Sequence, residues 1–131
     1  MDIRKLHRGK RKDNNEWIEG FYAEFSLGIH SVPFIGASNS IGTMMWFEVY
    51  PETVGQSTGT KDMSEKIICE GDVVTSKRII TGDVWRGIIV FRHGCFAING
   101  SNGNIPAIDL VKDIKVIGNI HDDYDPQLGG D

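Results

Sequence analysis

Apolar residues occur along this chain in short runs, each closed by residues that favour turns. The second half shows this most clearly, with apolar runs at 67–69, 73–74, 84–91, 95–98 and 115–120 separated by segments that contain Gly, Asp and Asn. Runs of this length between tight turns predict strands joined by hairpins. Because closure removes exposed sheet edges, we expect this half to form a small, strongly bent β-barrel.

The first half carries fewer of the β-branched residues that favour strands. Ile and Val account for 8 of residues 1–66 but for 18 of residues 67–120. Residues 10–12 and 16–22 flank the turn-forming segment 13–15 and predict a hairpin. Residues 44–50 predict a short strand, whereas 27–42 and 56–65 predict irregular segments. We expect a mainly β protein with few short helices: a hairpin and irregular β region at 1–66, a small SH3-like barrel core at 67–120 and an acidic tail at 121–131.

Length and composition are those of an ordinary globular protein. The 131 residues fit one domain or at most two very small ones, with a formal net charge of −4. No apolar run approaches the roughly 18 residues of a membrane-spanning helix, and none follows the basic N-terminus as in a secretion signal. We therefore expect a cytoplasmic protein that does not bind a membrane.

Charge is concentrated at the two ends. Six of the first twelve residues are basic, and residues 121–131 hold four Asp and no Lys or Arg. Such asymmetry can indicate a nucleic-acid-binding arm, for which the candidates are Arg8, Lys10, Arg11 and Lys12. A domain that binds nucleic acid through charge is usually basic overall, and this chain is acidic. We favour the interpretation that these cations edge the first hairpin and meet acidic groups, such as those at 122–125, within or between subunits.

The sharpest local motif is Glu70-Gly71-Asp72. Two carboxylates one Gly apart can hold a hard cation or perform acid–base chemistry. In the structural interpretation, which we favour, Gly71 frees the backbone, Asp72 hydrogen-bonds its own turn and a strand follows.

A second candidate is the segment 58–62, in which Thr58, Gly59, Lys61 and Asp62 can form a ligand-binding loop. Small residues, hydroxyls and a lysine suit a phosphate bound by backbone N–H groups, but the spacing of a P-loop is lacking. A plain surface loop is the simpler interpretation, although loops on rigid scaffolds often carry function.

The cysteines and histidines indicate neither a nucleophile nor a metal site. Cys69 and Cys95 fall in or beside predicted strands, so we expect two buried thiols rather than a disulfide. His93 lies two residues from Cys95 but in a predicted turn, and the four histidines lack metal-ligand spacing. We predict no catalytic residue, no metal and no cofactor.

Three blocks of the sequence resemble the YopX-type proteins of phages and prophages. The opening block is 8–22 (RGKRKDNNEWIEGFY), the middle block runs from 51–56 (PETVGQ) through Thr58-Gly59 and Lys61-Asp62 to 70–74 (EGDVV), and the closing block is 116–120 (VIGNI). The chain has Ser57 where the family usually has an aromatic and Thr60 where it usually has Leu. The resemblance implies a phage-derived protein of the bacterial cytoplasm with a barrel-like second half, and it implies no established activity.

Three functions follow from these features. We favour a non-catalytic binding or interaction module that forms a homo-oligomer, because exposed aromatics in the looser first half would bury against another copy, and that binds a host or phage protein. A nucleic-acid accessory protein would use the basic arm and bind with steep salt dependence. An enzyme would need Glu70 and Asp72 in a cleft, with a raised pKa on one of them.

Overall fold

The computed structural model describes residues 3–78, 82–100, 106–108 and 111–123. These residues form mostly strands, with two short 3-10 helices at Ile3–Lys5 and Pro51–Thr53, so the mainly β class is confirmed. None of the described helices is long and apolar enough to cross a membrane. The strands are β1 (His7–Lys10), β2 (Trp17–Leu27), β3 (His30–Ser38), β4 (Met44–Glu48), β5 (Gly55–Lys61), β6 (Ile67–Cys69), β7 (Asp72–Arg78), β8 (Val84–Arg92), β9 (Cys95–Gly100) and β10 (Val111–Asn119).

The first compact unit ends at Ser57 and contains an antiparallel sheet with the strand order β4-β3-β2-β1. Its predicted first hairpin is confirmed, because β1 pairs with the start of β2 from Lys10↔Trp17 onward. The turn uses Asn15 at φ 59°, a left-handed conformation that Asn tolerates. The Asn14 side-chain oxygen accepts the N–H of Glu16 at 2.9 Å and closes the turn.

The sheet of this unit curls back on itself. After Gly20, strand β2 leaves β1 and pairs with β3, and a Cβ at Gly20 would overlap the carbonyl oxygen of Gly36. An isolated antiparallel bridge between Arg11 and Val49 then joins the chain after β4 to the end of β1. The curl encloses the side chain of Val49, which is fully buried.

The irregular segment predicted at 27–42 is wrong for most of its length, because β3 occupies His30–Ser38. This strand has few large apolar residues, but it lies between β2 and β4, and both neighbours pair with its backbone. Gly36 has a specific role in this strand, because the indole ring of Trp46 packs against it. A Cβ at Gly36 would lie only 2.8 Å from atoms of that ring. The glycine at this position therefore reflects packing against a large ring and does not indicate irregular backbone.

The second compact unit, Thr58–Asp123, contains the end of β5, β6 and an antiparallel sheet with the order β10-β7-β8-β9. The predicted strands at 73–74, 84–91, 95–98 and 115–120 all lie within strands of this unit, apart from Ile120, which follows β10. Its buried core is aliphatic and consists of Ile68, Val74, Ile89, Ile98 and Val111. The turn between β8 and β9 has positive φ at both His93 (52°) and Gly94 (81°), as a two-residue type I′ hairpin requires.

The boundary between the units, at Ser57/Thr58, lies before the predicted one at 66/67. Residues 58–66 thus pack with the second unit, and β5 runs through the boundary. Residues 67–119 contribute the four-stranded sheet, and its closure into an SH3-like barrel stays a prediction. Most of the predicted acidic tail, 124–131, lies outside the described residues.

Candidate functional site

An open cavity of about 390 Å³ lies in the second unit, between the chain that follows β5 and the first half of β10. Its apolar lining comes from the core residues Ile68 and Val111 and from the partly buried Ile108 and Ile114. A volume in this range suits a small ligand or a side chain of a partner. The other lining residues are Thr60, Lys61, Asp62, Met63, Lys112 and Asp113.

Asp62 fixes the chain on one side of this cavity. One carboxylate oxygen accepts the N–H groups of Ser64 (2.8 Å) and Lys66 (2.9 Å), and the other accepts the N–H of Val116 in β10 at 2.8 Å. Burial raises the pKa of this carboxyl, but the hydrogen bonds from Val116, Lys66 and Ser64 favour the ionised form more strongly, so the pKa lies below its usual value. The carboxylate therefore holds the turn after β5 onto β10.

Strand β10 is irregular on the other side of the cavity. Its pairing with β7 shifts register between Lys112 and Lys115, and Asp113 has φ 54°. A bulge of this kind interrupts a ladder and releases backbone groups for other partners. Here the Ile114 carbonyl accepts the N–H of Met63 at 2.9 Å. The bulge thus joins β10 to the chain after β5, and residues of both segments line the cavity.

The predicted ligand loop lies partly at this cavity. Lys61 and Asp62 line it, together with Thr60, which the sequence did not single out, whereas Thr58 and Gly59 are not among its lining residues. The prediction of a loop at 56–65 is wrong for its first part, because β5 continues through Lys61. Thr58 and Thr60 are β-branched and suit a strand, and their hydroxyl oxygens lie 3.0 Å apart.

The Glu70-Gly71-Asp72 motif is built as a turn. Gly71 has φ 87°, where a side chain would be strained. Asp72 is fully buried; its two oxygens accept the N–H of Cys69 at 2.9 Å and the side-chain amide N–H of Asn119 at 3.0 Å. Neither Glu70 nor Asp72 lines the cavity. Across the described ranges, no three His, Cys, Asp or Glu side chains are grouped to hold a metal ion.

Two of the four predicted nucleic-acid residues are buried. Arg8 and Lys10 lie in β1, and each is only about one-twentieth exposed. The Arg8 guanidinium lies 5.2 Å and the Lys10 ammonium 5.7 Å from the ring centroid of Trp17 across the hairpin. Cation–π contacts of this kind are strongest where water is excluded. These two cations therefore pack within the first unit.

The other two, Arg11 and Lys12, are engaged by acids of the first unit. Arg11 stacks 3.9 Å from the ring centroid of Phe47 and forms an ion pair with Asp13 at 2.5 Å. The hydrogen bond from Arg11 lowers the pKa of the Asp13 carboxyl. Lys12 forms an ion pair with Glu48 at 2.7 Å. These cations thus meet acids of the first hairpin and β4. Of the acidic segment 122–125, residues 124 and 125 lie outside the described residues.

An aromatic cluster lies on one face of the sheet in the first unit. The ring of Phe25 stands edge-on to Phe34 at 5.0 Å and to Trp46 at 5.8 Å between centroids. Phe25 and Trp46 remain 43% and 42% exposed. This grouping could not be predicted from the sequence alone, because it depends on the pairing of β2, β3 and β4. The available signal was that Phe21 and Phe25 lie four positions apart and therefore share one face of a strand.

A family model identifies the protein family of this chain. The family model described as YopX protein matches residues 6–128, nearly the whole chain. The chain belongs to the YopX family. No curated protein matches it.

In this YopX-family chain, the middle and closing blocks of the sequence bind each other. Asp62 of the middle block accepts the N–H of Val116 in the closing block, and Asp72 accepts the side-chain amide of Asn119. The carbonyl of Gly71 also accepts the N–H of Ile120 at 2.9 Å. These two blocks are therefore hydrogen-bonded to each other within the second unit.

The cysteines of this YopX-family chain differ from each other in burial. Both are free thiols, and Cys69 is buried as expected. The prediction for Cys95 is wrong, because this residue is exposed. It directly follows the two-residue turn at His93 and Gly94, where β8 and β9 project into solvent, and its Sγ lies 3.5 Å from the Arg92 carbonyl. Position in a hairpin, rather than side-chain polarity, determines its exposure.

Proposed function

We propose that this YopX-family chain is a non-catalytic binding module of phage or prophage origin, and that its cavity receives an apolar group of a host or phage protein in the bacterial cytoplasm. The observation that carries the proposal is an open cavity at a bulged strand, in which aliphatic side chains supply half of the lining residues together with Met63. Bulges often re-aim side chains next to functional sites, and non-glycine residues at positive φ, such as Asp113, are concentrated at such sites.

The side chains at the cavity support binding rather than catalysis. The ionisable residues that line it are Lys61, Asp62, Lys112 and Asp113, with neither a Cys nor a His in the described lining. General acid–base catalysis needs a group that can exchange its proton with the substrate. The Asp62 carboxylate is instead held by three backbone N–H groups.

The two alternative functions have less support. Nucleic-acid binding through the basic arm requires cations that reach phosphates, but Arg8 and Lys10 pack against Trp17, and Arg11 and Lys12 form ion pairs. An enzyme with Glu70 and Asp72 in a cleft requires an accessible Asp72, which is fully buried.

Indole, a neutral apolar probe, tests the proposed binding site by NMR titration of the amide groups. We expect the amides of Met63 and Ile114, which both line the cavity, to shift together with one dissociation constant. Thr60→Trp should fill the opening and weaken indole binding by about tenfold, or 1.4 kcal/mol. Gln56→Trp is the matched control, because Gln56 is exposed on the same strand and does not line the cavity.

Two results would contradict the proposal. One is indole binding that shifts only amides outside the cavity. The other is an equal loss of affinity in Thr60→Trp and Gln56→Trp.

A further inference from the structure

Strand β4 is the outermost strand of the first unit's sheet. The N–H of Val49 binds the Pro33 carbonyl at 3.2 Å, which shows that the backbone of Val49 points toward β3. This direction alternates along a strand, so the backbone groups of Met44, Trp46 and Glu48 point away from β3. The Glu48 carbonyl agrees with this, because it accepts the N–H of Lys12 at 3.0 Å from the outer side. The outer edge at Met44 and Trp46 therefore presents backbone donors and acceptors.

The side chains along this edge are apolar on both faces of the sheet. Met44 and Trp46 stand on the face that carries Phe25, and Met45 stands on the opposite face. All three β4 residues are exposed. An exposed apolar edge strand is a template for pairing with another strand.

Charge identifies the partner that fits this edge. Residues 43–47 carry no charge, and Glu48 at their end is already neutralised by Lys12 at 2.7 Å. A charged partner strand would find no complementary charge here, whereas an identical neutral edge meets no like charge. The edges of the other sheet differ: β10 carries Lys112, Asp113 and Lys115 and is bulged.

The opposite edge of that sheet, β9, is also protected. Ala97 forms a bridge with Ala107, and the Ile98 N–H binds the Pro106 carbonyl at 3.0 Å. Of the described outer strands β4, β9 and β10, β4 alone lacks both of these protections. The short β6 is also an outer strand, but Ile68 and Cys69 in it are buried. Neutrality, apolar faces and outward backbone groups coincide on this strand.

We propose that two copies of this chain pair through β4 as antiparallel strands related by a two-fold axis at Met45. In this register Met44 of each copy lies opposite Trp46 of the other, so both outward residues of each strand are used. An axis at Trp46 would instead place Met44 opposite Glu48, whose carbonyl already binds Lys12. The pairing places Met44 of the second copy next to Trp46 and thereby extends the aromatic cluster. This interface is separate from the cavity of the proposed function.

Disulfide crosslinking tests the register, in a Cys95→Ser background that removes the exposed native thiol. Two Met45→Cys residues would face each other with Cα atoms about 4.5–5.5 Å apart, within the range for a disulfide. Two Thr43→Cys residues would be about 13 Å apart, since four residues separate them along the paired strands. We expect Met45→Cys to form a covalent dimer under mild oxidation and Thr43→Cys to remain reduced. Equal crosslinking of the two variants would overturn the register.

The mass in solution tests the interface itself, by sedimentation equilibrium over a range of concentrations. The native chain should dimerise, and Met45→Lys should be monomeric because two ammonium groups would face each other across the axis. Ile29→Lys is the control, since Ile29 is an exposed apolar residue between β2 and β3 and lines neither β4 nor the cavity, and it should dimerise like the native chain. A native chain that is monomeric at about 1 mM overturns the proposal, as does a dimer that Met45→Lys leaves intact. If Met45→Lys does not fold, the disulfide crosslinking of Met45→Cys tests the interface in its place.

Discussion

The second unit is held by aliphatic burial and by carboxylates that bind backbone N–H groups, whereas the first unit is held by close backbone contacts and by cations on aromatic rings. Ile68, Val74 and Ile89 represent the core of the second unit, and Asp62 and Asp72 tie its turns to β10. The first unit has fewer large buried aliphatic side chains, and its cations pack on Trp17 and Phe47 instead.

This difference shows that antiparallel sheets within one chain can depend on different physical interactions. Carboxylate hydrogen bonds require the ionised acid, so the second unit depends on pH. Glycine contacts depend on space alone, so the first unit depends on the absence of a methyl group at specific positions.

Gly20→Ala should have the largest effect. Its Cβ would overlap the carbonyl oxygen of Gly36, which is backbone and cannot rotate away. Overpacking costs about 1–3 kcal/mol and occasionally more, and we expect the upper end, about 3 kcal/mol, by urea unfolding. Gly42→Ala is the control, because its Cβ would meet no atom within 4 Å; it should cost about 1 kcal/mol for its positive φ. Equal losses of stability in the two variants would mean that the close contact between Gly20 and the Gly36 carbonyl does not determine the stability of the fold.

Asp62→Asn should destabilise the protein at neutral pH by about 2 kcal/mol, because the amide cannot accept all three N–H groups that the carboxylate binds. The folded state lowers the pKa of the Asp62 carboxyl below its ordinary value. The stability from its ionised form is therefore complete above that value and is lost as pH falls below it through the lowered pKa. Thermal unfolding between about pH 2 and 5 should show this loss in the native chain and less of it in Asp62→Asn. Asp123→Asn, at an exposed carboxyl, should keep the native pH profile.

Gly71→Ala should cost about 1 kcal/mol or more, since φ is 87° and the new Cβ would lie 3.3 Å from the side-chain nitrogen of Asn119. Gly94→Ala has a similar φ of 81° and open space around its Cβ. The difference between the two melting temperatures measures the crowding at Asn119. An unchanged melting curve for Gly71→Ala would show that this turn is not required.

Lys12→Gln should have the smallest effect on stability, about 0–1 kcal/mol, because its ion pair with Glu48 is exposed to solvent.

We expect no binding of a duplex DNA or an RNA to the native chain at physiological salt, measured by fluorescence anisotropy. Micromolar binding that weakens by about 0.9 in log K per neutralised phosphate per log unit of salt would instead support the basic arm as a nucleic-acid site. The variant with Gln at Lys10, Arg11 and Lys12 would then lose it.

The sequence predicted those parts of the fold that depend on local pattern. The first hairpin, the turns at Gly71 and Gly94 and the strands of the second half follow from turn residues and β-branched runs. Strand β3 was missed because pairing with two neighbours, rather than its own composition, makes it a strand. The exposure of Cys95 was missed for a related reason, since it depends on where the hairpin projects.

The candidate site was predictable in part. The segment that contains Lys61 and Asp62 was singled out by residue type, and both residues line the cavity. The opposite wall was not predictable, because Ile114 faces Met63 only through a bulge in a strand more than fifty residues away. A bulge is a property of pairing, and it leaves little trace in a single sequence.

The hydrogen bonds from Val116 to Asp62 and from Asn119 to Asp72 join residues 54 and 47 positions apart. During synthesis from the N-terminus, both aspartates are therefore incorporated well before their partners. Strand β7 must then wait for β10 with one edge unpaired, because β10 is its neighbour on that side. Contacts between such distant residues form slowly. A strand edge that stays unpaired during this time favours aggregation. The nascent chain is therefore most exposed to misfolding between the emergence of β7 and the arrival of Asn119, and chains truncated within that interval should accumulate as aggregates.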